Sequence, residues 1–142
     1  LGAKVYPHTQ KEIGWWPVQK TSNGLTHPVL ENLPEEFLTF HWHGDTFDLP
    51  VGAIHLLQTD ACPHQSFLYN DHVMGLQFHM EVTSELLNAM VEHGRPELLP
   101  STWVQSEKEI LETKQFIPNN YWMERLLSAF EKIHSNSPNL VS

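Results

Sequence analysis

The sequence is poor in features that mark secreted, membrane-spanning or nucleic-acid-binding proteins. Its 142 residues include one cysteine, Cys62, so no internal disulfide can form, which fits a reducing compartment. No apolar run approaches the roughly 20 residues that cross a bilayer. Only 8 Lys and Arg oppose 17 Asp and Glu, and the net charge of −9 argues against nucleic acid or anionic membrane as a partner. We therefore expect a cytoplasmic protein.

What is present is a globular composition, 40% apolar, with strands first and helices afterwards. Alternating or apolar runs between turn residues predict six strands: Lys4–Tyr6, Trp15–Lys20, Glu36–Trp42, Ala53–Gln58, Ser66–Tyr69 and Val73–Phe78. The last is nearly all apolar, as in a strand buried on both faces. Helical spacing and capping residues predict three helices: one capped by Thr83 and ending at Gly94, one from Ser106 through Lys114, and a longer one capped by Asn119. This order predicts an α/β domain or a piece of one.

The strongest local signal is Gly-Leu-Gln-Phe-His-Met-Glu-Val-Thr at residues 75–83. A strand ends there, and a helix begins directly afterwards. Residues two apart on an extended segment point the same way, so His79 and Glu81 can cooperate. A carboxylate that fixes an imidazole creates a general base suited to serving a nucleophile. The same pattern is also typical of a capping or surface pair.

A second polar segment runs from His41 to Ala53 (His-Trp-His-Gly-Asp-Thr-Phe-Asp-Leu-Pro-Val-Gly-Ala). The spacing predicts a strand that ends in a turn at His43-Gly44-Asp45, where Gly44 lets a ligand approach the backbone closely. His41 and His43 on one strand face are also a plausible pair of imidazole metal ligands, as in a cupin-type site.

Taken together, four segments closely resemble the class I glutamine amidotransferases, in particular the stand-alone, GMP-synthase-like branch. The segments are Lys11–Trp15, the His-x-His-Gly-Asp-x-Phe-x-Leu-Pro-x-Gly-Ala run, Gln65-x-Phe67, and the Gly-Leu-Gln-Phe-His-x-Glu-Val-Thr run. The resemblance covers about residues 1 to 93. It implies an α/β fold, the C-terminal part of a flavodoxin-like amidotransferase domain, with a mixed or parallel sheet and flanking helices.

The resemblance also implies roles for individual residues. In the family, a cysteine at a Gly-x-Cys-x-Gly elbow attacks the side-chain amide of glutamine and releases ammonia. His79 corresponds to the base that activates the thiol, and Glu81 to the carboxylate that orients it. Trp42, Gly44 and Asp45 correspond to the turn that holds the amino-acid end of the substrate. This interpretation assigns no metal and no cofactor.

The sequence departs from the family pattern at two places. Met80 stands where the family most often has proline, and no Gly-x-Cys-x-Gly is present. Cys62 lacks flanking glycines and lies downstream of the substrate segment, so we do not expect it to be the nucleophile. Since the chain starts at Leu1 rather than methionine, we expect a fragment, inactive alone, of a larger enzyme. Residues 1–134 would form the partial domain and residues 135–142 a C-terminal tail.

Several alternatives stay open at this point. The substrate is glutamine or another γ-glutamyl compound, so a stand-alone γ-glutamyl hydrolase is one alternative. Another is a metal-binding, cupin-like module that uses His41 and His43 together with His79, and a third is a noncatalytic family member whose elbow cysteine is replaced. An amidotransferase implies a separate synthase that receives ammonia, or no partner at all. Sheet edges exposed by truncation would also allow a homodimer.

Overall fold

The fold is organised around a long antiparallel ribbon at the start of the chain. In the computed structural model, which describes residues 1–136, β1 (Val5–Lys20) pairs with β2 (Glu36–Phe47) along almost its whole length. The register is irregular between Pro7 and Glu12, so the strand bends there. The ribbon places residues 17 to 42 positions apart in the sequence side by side.

Three shorter strands complete a five-stranded sheet in the order β2-β1-β3-β4-β5; they are β3 (Ile54–Gln58), β4 (Ser66–Tyr69) and β5 (Val73–Leu76). All four strand pairings within residues 1–136 are antiparallel. The predicted mixed or parallel arrangement therefore does not apply to these strands. For β3–β4 and β4–β5 the connections explain the difference, because they contain seven and three residues and a parallel crossover needs a dozen or more.

The strand boundaries differ from the prediction in three places. The predicted strands Lys4–Tyr6 and Trp15–Lys20 belong to one strand, β1, because pairing with β2 holds the intervening residues extended. β2 continues to Phe47, so the predicted turn at residues 43–45 is wrong. β5 ends at Leu76 and is only partly buried, since it is an edge strand that pairs with β4 alone.

The described residues form four α-helices: the single-turn α1 (Ser22–Thr26), α2 (Ser84–Gly94), α3 (Glu107–Glu112) and α4 (Phe116–Asn136). α2 and α3 begin where their capping residues predicted, whereas α1 was not predicted. The Thr83 hydroxyl accepts from the N–H of Leu86 and caps α2. Ser106 and Glu109 form the expected capping box of α3. Two short 3-10 turns, Pro28–Leu30 and Arg95–Glu97, link the elements.

The start of α4 was predicted wrongly. The helix begins at Phe116, and Asn119 is a buried residue within it, whose Nδ2 donates to the carbonyl of Leu38 at 2.9 Å. Pro118 is tolerated because it stands in the first turn, where its missing N–H has no helical partner. α4 continues through Asn136, past the predicted boundary at residue 134, and the rest of the predicted tail, residues 137–142, lies outside the described residues.

Two apolar clusters flank the sheet. One joins β1 and β2 to α2 and α3 through Ile13, Trp15, Phe40, Val82, Leu87, Val91 and Ile110. The other packs the later strands against α4 and includes Leu56, Leu57, Leu68, Phe78, Met80 and Leu126. Trp15 is thus a core residue. No helix within residues 1–136 is both long and apolar enough to cross a membrane.

Candidate active site

His79 and Glu81 lie on a short, bent segment between β5 and α2. The N–H of His79 donates to the carbonyl of Phe40 at 2.7 Å, which attaches the segment to β2. Met80, between the two polar residues, is fully buried in the core. Both neighbours of Met80 are partly exposed to solvent. Met80, which stands where the family most often has proline, therefore anchors this segment in the core.

The two side chains are in direct contact. His79 Nδ1 lies 2.6 Å from Glu81 Oε1, and the side chains are 35% and 49% exposed. A carboxylate at Nδ1 selects the tautomer with the proton on Nδ1 and leaves Nε2 available as a base. The pair can therefore orient an imidazole toward a reactant that arrives from solvent.

The predicted substrate residues line a neighbouring open cleft of about 590 Å³. Trp42, Gly44 and Asp45 all contribute to it, on the last part of β2 rather than on a turn. His79 and Glu81 do not line this cleft, although the ring centroid of Phe40 lies 6.5 Å from His79 and 6.1 Å from Trp42. The predicted catalytic pair and the predicted substrate residues thus lie on either side of Phe40, a residue of β2, but they do not line the same cavity.

Two charged residues of the cleft, Lys11 and Glu97, were not predicted to lie there. Glu97 accepts a hydrogen bond from Lys11 Nζ at 3.0 Å and another from Trp42 Nε1 at 3.3 Å. The bond from Lys11, followed by that from Trp42, holds the pKa of the Glu97 carboxyl below its ordinary value. Lys11 and Glu97 are 86 residues apart, so no local pattern could have paired them.

A second histidine–carboxylate group is buried beneath the cleft. On β1, Glu12 lies opposite His43 of β2, and its Oε2 atom is 2.9 Å from His43 Nε2. His41, two residues before His43 and so on the same strand face, has its Nδ1 3.7 Å from the same oxygen. Gln65 Nε2 also donates to Glu12 Oε2, at 2.6 Å. Glu12 and His41 are fully buried.

Burial and nearby charges have opposite effects on the pKa values of Glu12 and His41. Burial alone would raise the pKa of the Glu12 carboxyl, but the hydrogen bond from His43 and the nearby His41 outweigh it, so the pKa is lowered. For His41, burial dominates and lowers the pKa to about 4, against the attraction of Glu12. His41 is therefore neutral at physiological pH.

Cys62 does not have the surroundings of a nucleophile. It is fully buried, and its Sγ lies 3.2 Å from Thr46 Oγ1. Burial raises the pKa of the Cys62 thiol, whereas a reactive cysteine needs a lowered pKa and access to substrate.

Comparison with known proteins identifies the family. The family model described as "Glutamine amidotransferase class-I" matches residues 1–94. The chain is 37% identical over 98 residues to the glutamine amidotransferase-like protein YfeJ of Salmonella typhimurium, covering 69% of this chain and 41% of that protein. It is 34% identical over 92 residues to "GMP synthase [glutamine-hydrolyzing]" of Thermomicrobium roseum, covering 64% of this chain and 17% of the synthase.

Comparison with solved structures gives the same family. The glutamine amidotransferase of Methylobacillus flagellatus superposes with a TM-score of 0.83 at 27% identity, over 93% of this chain and 56% of that one. That of Thermotoga maritima gives 0.76 at 30% identity, over 91% and 55%. The chain belongs to the class I glutamine amidotransferase family, and the predicted fold class is confirmed. It spans less than half of these curated relatives and just over half of these structures.

Proposed function

We propose that this chain supplies the histidine and the carboxylate of a Cys-His-Glu triad that hydrolyses the side-chain amide of glutamine. The observation that carries the proposal is the 2.6 Å contact of His79 Nδ1 with Glu81 Oε1 on an exposed segment held to the core by Met80. An oriented imidazole of this kind is what a thiol nucleophile requires.

In the proposed reaction, His79 Nε2 takes the proton of a cysteine thiol as the sulfur attacks the amide carbon. The same nitrogen returns the proton to the leaving nitrogen, so ammonia departs and a glutamyl thioester remains. Water activated by His79 then releases glutamate and restores the thiol. Glu81 orients the ring throughout and stabilises its protonated form.

The amino-acid end of the substrate would lie toward the cleft formed by Trp42, Gly44 and Asp45. Gly44 favours this placement because it has no side chain to fill the floor, although the Lys11 side chain passes beside it. The γ-carbonyl would then extend from the cleft toward His79, along the direction of β2. Another γ-glutamyl compound could occupy the same cleft, and the donor assay below distinguishes the two.

The nucleophile would come from a Gly-x-Cys-x-Gly segment outside these 142 residues. Cys62 is the sole cysteine here, and it is buried beside Thr46. We therefore expect this chain to be inactive alone and active within a longer protein that carries the elbow. Family membership excludes the cupin-like module as the identity of the chain.

The ammonia would pass to a separate synthase in the cytoplasm. Relatives of this chain are named GMP synthase [glutamine-hydrolyzing], a name that joins glutamine hydrolysis to synthesis in those proteins. The predicted homodimer stays a prediction.

The test compares glutamate release by the 142-residue chain and by a longer protein that includes the upstream cysteine. We expect no release from the chain alone, and a loss of about 10²–10⁴-fold in kcat for His79→Ala in the longer protein. His93→Ala, at an exposed histidine of α2, is the matched control and should retain full activity. Retention of activity by His79→Ala would contradict the proposal. Hydrolysis of other γ-glutamyl amides in preference to glutamine would instead support the hydrolase alternative.

A further inference from the structure

The buried cluster of Glu12, His41 and His43 has the composition and shape of a metal site, one that the proposed reaction does not use. Its three donor atoms all lie within 4.8 Å of one another. The β1–β2 register places Glu12 directly opposite His43, and His41 follows on the same face. Two imidazoles and a carboxylate form a donor set that Zn²⁺ and neighbouring divalent metals accept.

Several buried polar atoms in this cluster lack partners. Neither ring nitrogen of His41 has a partner with good hydrogen-bond geometry among the described residues, although the backbone of Trp16 is near enough to oppose the lowering of the His41 pKa by burial. Glu12 Oε1 and Gln65 Oε1 also lack partners among these residues. A buried polar group without a partner is costly, and native proteins normally satisfy it. One cation at the centre would satisfy an imidazole nitrogen of His41 and the carboxylate together.

A fourth donor completes the shell. The amide of Gln65 lies 2.6 Å from Glu12 Oε2 and 3.5 Å from His43 Nε2. A half-turn of this amide exchanges its nitrogen and oxygen, which places Oε1 toward the same centre. A tetrahedral ion with bonds near 2.1 Å holds its donors about 3.4 Å apart. Two of the separations between these donors, 3.5 Å from Gln65 to His43 and 3.7 Å from His41 to Glu12, are close to that value. The separations of Glu12 from Gln65 and from His43, 2.6 and 2.9 Å, are hydrogen-bond lengths that would have to increase when the ion binds.

We propose that Glu12, His41, His43 and Gln65 bind one divalent metal ion of the zinc type, which links β1 to β2 beneath the substrate cleft. The ion would bond to His43 Nε2, and the ring proton would move to Nδ1, which lies 3.0 Å from the carbonyl of Asp45. Gln77 Nε2 now lies 2.5 Å from this Nδ1, so the Gln77 amide would have to turn and present its unpaired Oε1 there. Donation from the other ring nitrogen to a backbone carbonyl is the usual support of a histidine ligand.

The ion has a route into the cluster. His43 is the one ligand with an exposed edge, at 10% of its side chain, and it lines both the 590 Å³ cleft and a smaller cavity of about 190 Å³ beside Gln77. Metal bound there would fix the backbone of Gly44 and Asp45 through His43. The site would therefore be structural, because Glu12 and His41 leave no side open to a substrate.

The test measures Zn²⁺ and Co²⁺ binding to the full 142-residue chain after treatment with a chelator. We expect one equivalent of Co²⁺ with the visible absorption of a tetrahedral site, displaced by Zn²⁺, and an unfolding temperature that rises with Zn²⁺ concentration. X-ray absorption of the zinc-loaded chain should show nitrogen and oxygen ligands only, including two imidazoles. This second measurement does not depend on any variant folding.

The controls separate this site from an exposed one. His72 and His134 form a surface pair, with their Nδ1 atoms 2.6 Å apart, that could also take up metal. The variant His72→Ala should retain the tetrahedral Co²⁺ spectrum, whereas His43→Ala and Glu12→Gln should lose it. Absence of stoichiometric binding in the unmodified chain, or loss of binding in His72→Ala alone, would overturn the proposal. Neither result bears on glutamine hydrolysis, so the two proposals fail independently.

Discussion

Two histidine–carboxylate contacts of similar length occur in this chain, in opposite surroundings. His79 and Glu81 meet at 2.6 Å on an exposed segment between β5 and α2. Glu12 and His43 meet at 2.9 Å between β1 and β2, with Glu12 fully buried. The first pair is two residues apart in the sequence, and the second is 31 apart.

The comparison shows that surroundings, rather than the contact itself, decide what such a pair does. Water screens the exposed pair, so the contact adds little to stability, but a reactant can reach the imidazole. Around the buried pair, the effective dielectric constant is lower and each polar atom must find a partner within the protein. One pair is therefore suited to chemistry and the other to holding two strands in register.

The largest expected difference between the two regions is in folding stability. Glu12→Ala should lower the free energy of unfolding by about 3–5 kcal/mol, because it leaves buried polar atoms without a partner. Glu81→Ala should change it by less than about 1 kcal/mol. Urea unfolding, followed by circular dichroism with chelator present, measures both. Equal effects of the two substitutions would show that burial does not separate the pairs.

Gly14 tests how tightly the buried region is packed. It stands opposite His41 in the register with a φ of +123°, and an added Cβ would collide with the Gln105 side chain. We expect Gly14→Ala to cost about 1–3 kcal/mol through backbone strain, with the collision adding to this. Gly52→Ala is the matched control, because its φ is also positive, at +83°, while the nearest atom lies 3.7 Å away. Gly14→Ala should therefore be the more damaging of the two when urea midpoints are compared.

The smallest expected effect is at the rim of the cleft. Lys11 holds the pKa of Glu97 below its ordinary value of 4.5, and a carboxyl with a lowered pKa contributes stability above that value. The contribution disappears as the pH falls through the lowered pKa. Because Glu97 is 48% exposed, Glu97→Gln should cost less than about 1 kcal/mol at neutral pH. Urea midpoints of Glu97→Gln and the unmodified chain are measured at neutral and at acid pH. The difference between the two proteins should be smaller at acid pH; a difference that does not change with pH would contradict the assignment.

The sequence predicted the exposed pair because the information is local. An i, i+2 spacing at the end of an apolar run already places His79 beside Glu81. The roles of these residues and of Trp42, Gly44 and Asp45 came from the family resemblance, not from geometry. The turn expected at His43–Asp45 is wrong because pairing with β1 overrides the local preference of Gly44.

The sequence predicted only part of the buried cluster. His41 and His43 were recognised as a pair of candidate ligands, but they were grouped with His79. Their partner Glu12 falls in a gap between two predicted strands, and its position opposite His43 follows from the register of the ribbon. Local patterns do not encode that register, since it depends on which residues of β1 and β2 face the core.

β1 is also contacted by residues 103–105, which follow it by about 90 positions in the sequence. Trp15 N–H donates to Gln105 Oε1 at 2.8 Å, a bond between residues 90 positions apart, and the backbone of Gln105 donates to Ile13. During synthesis at about 5–20 residues per second, β1 leaves the ribosome roughly 5–20 seconds before Gln105. Throughout that interval the strand that carries Glu12 lacks its cover from residues 103–105. The nascent chain therefore passes through a stage in which an incompletely paired strand is open to chaperones and to misassembly.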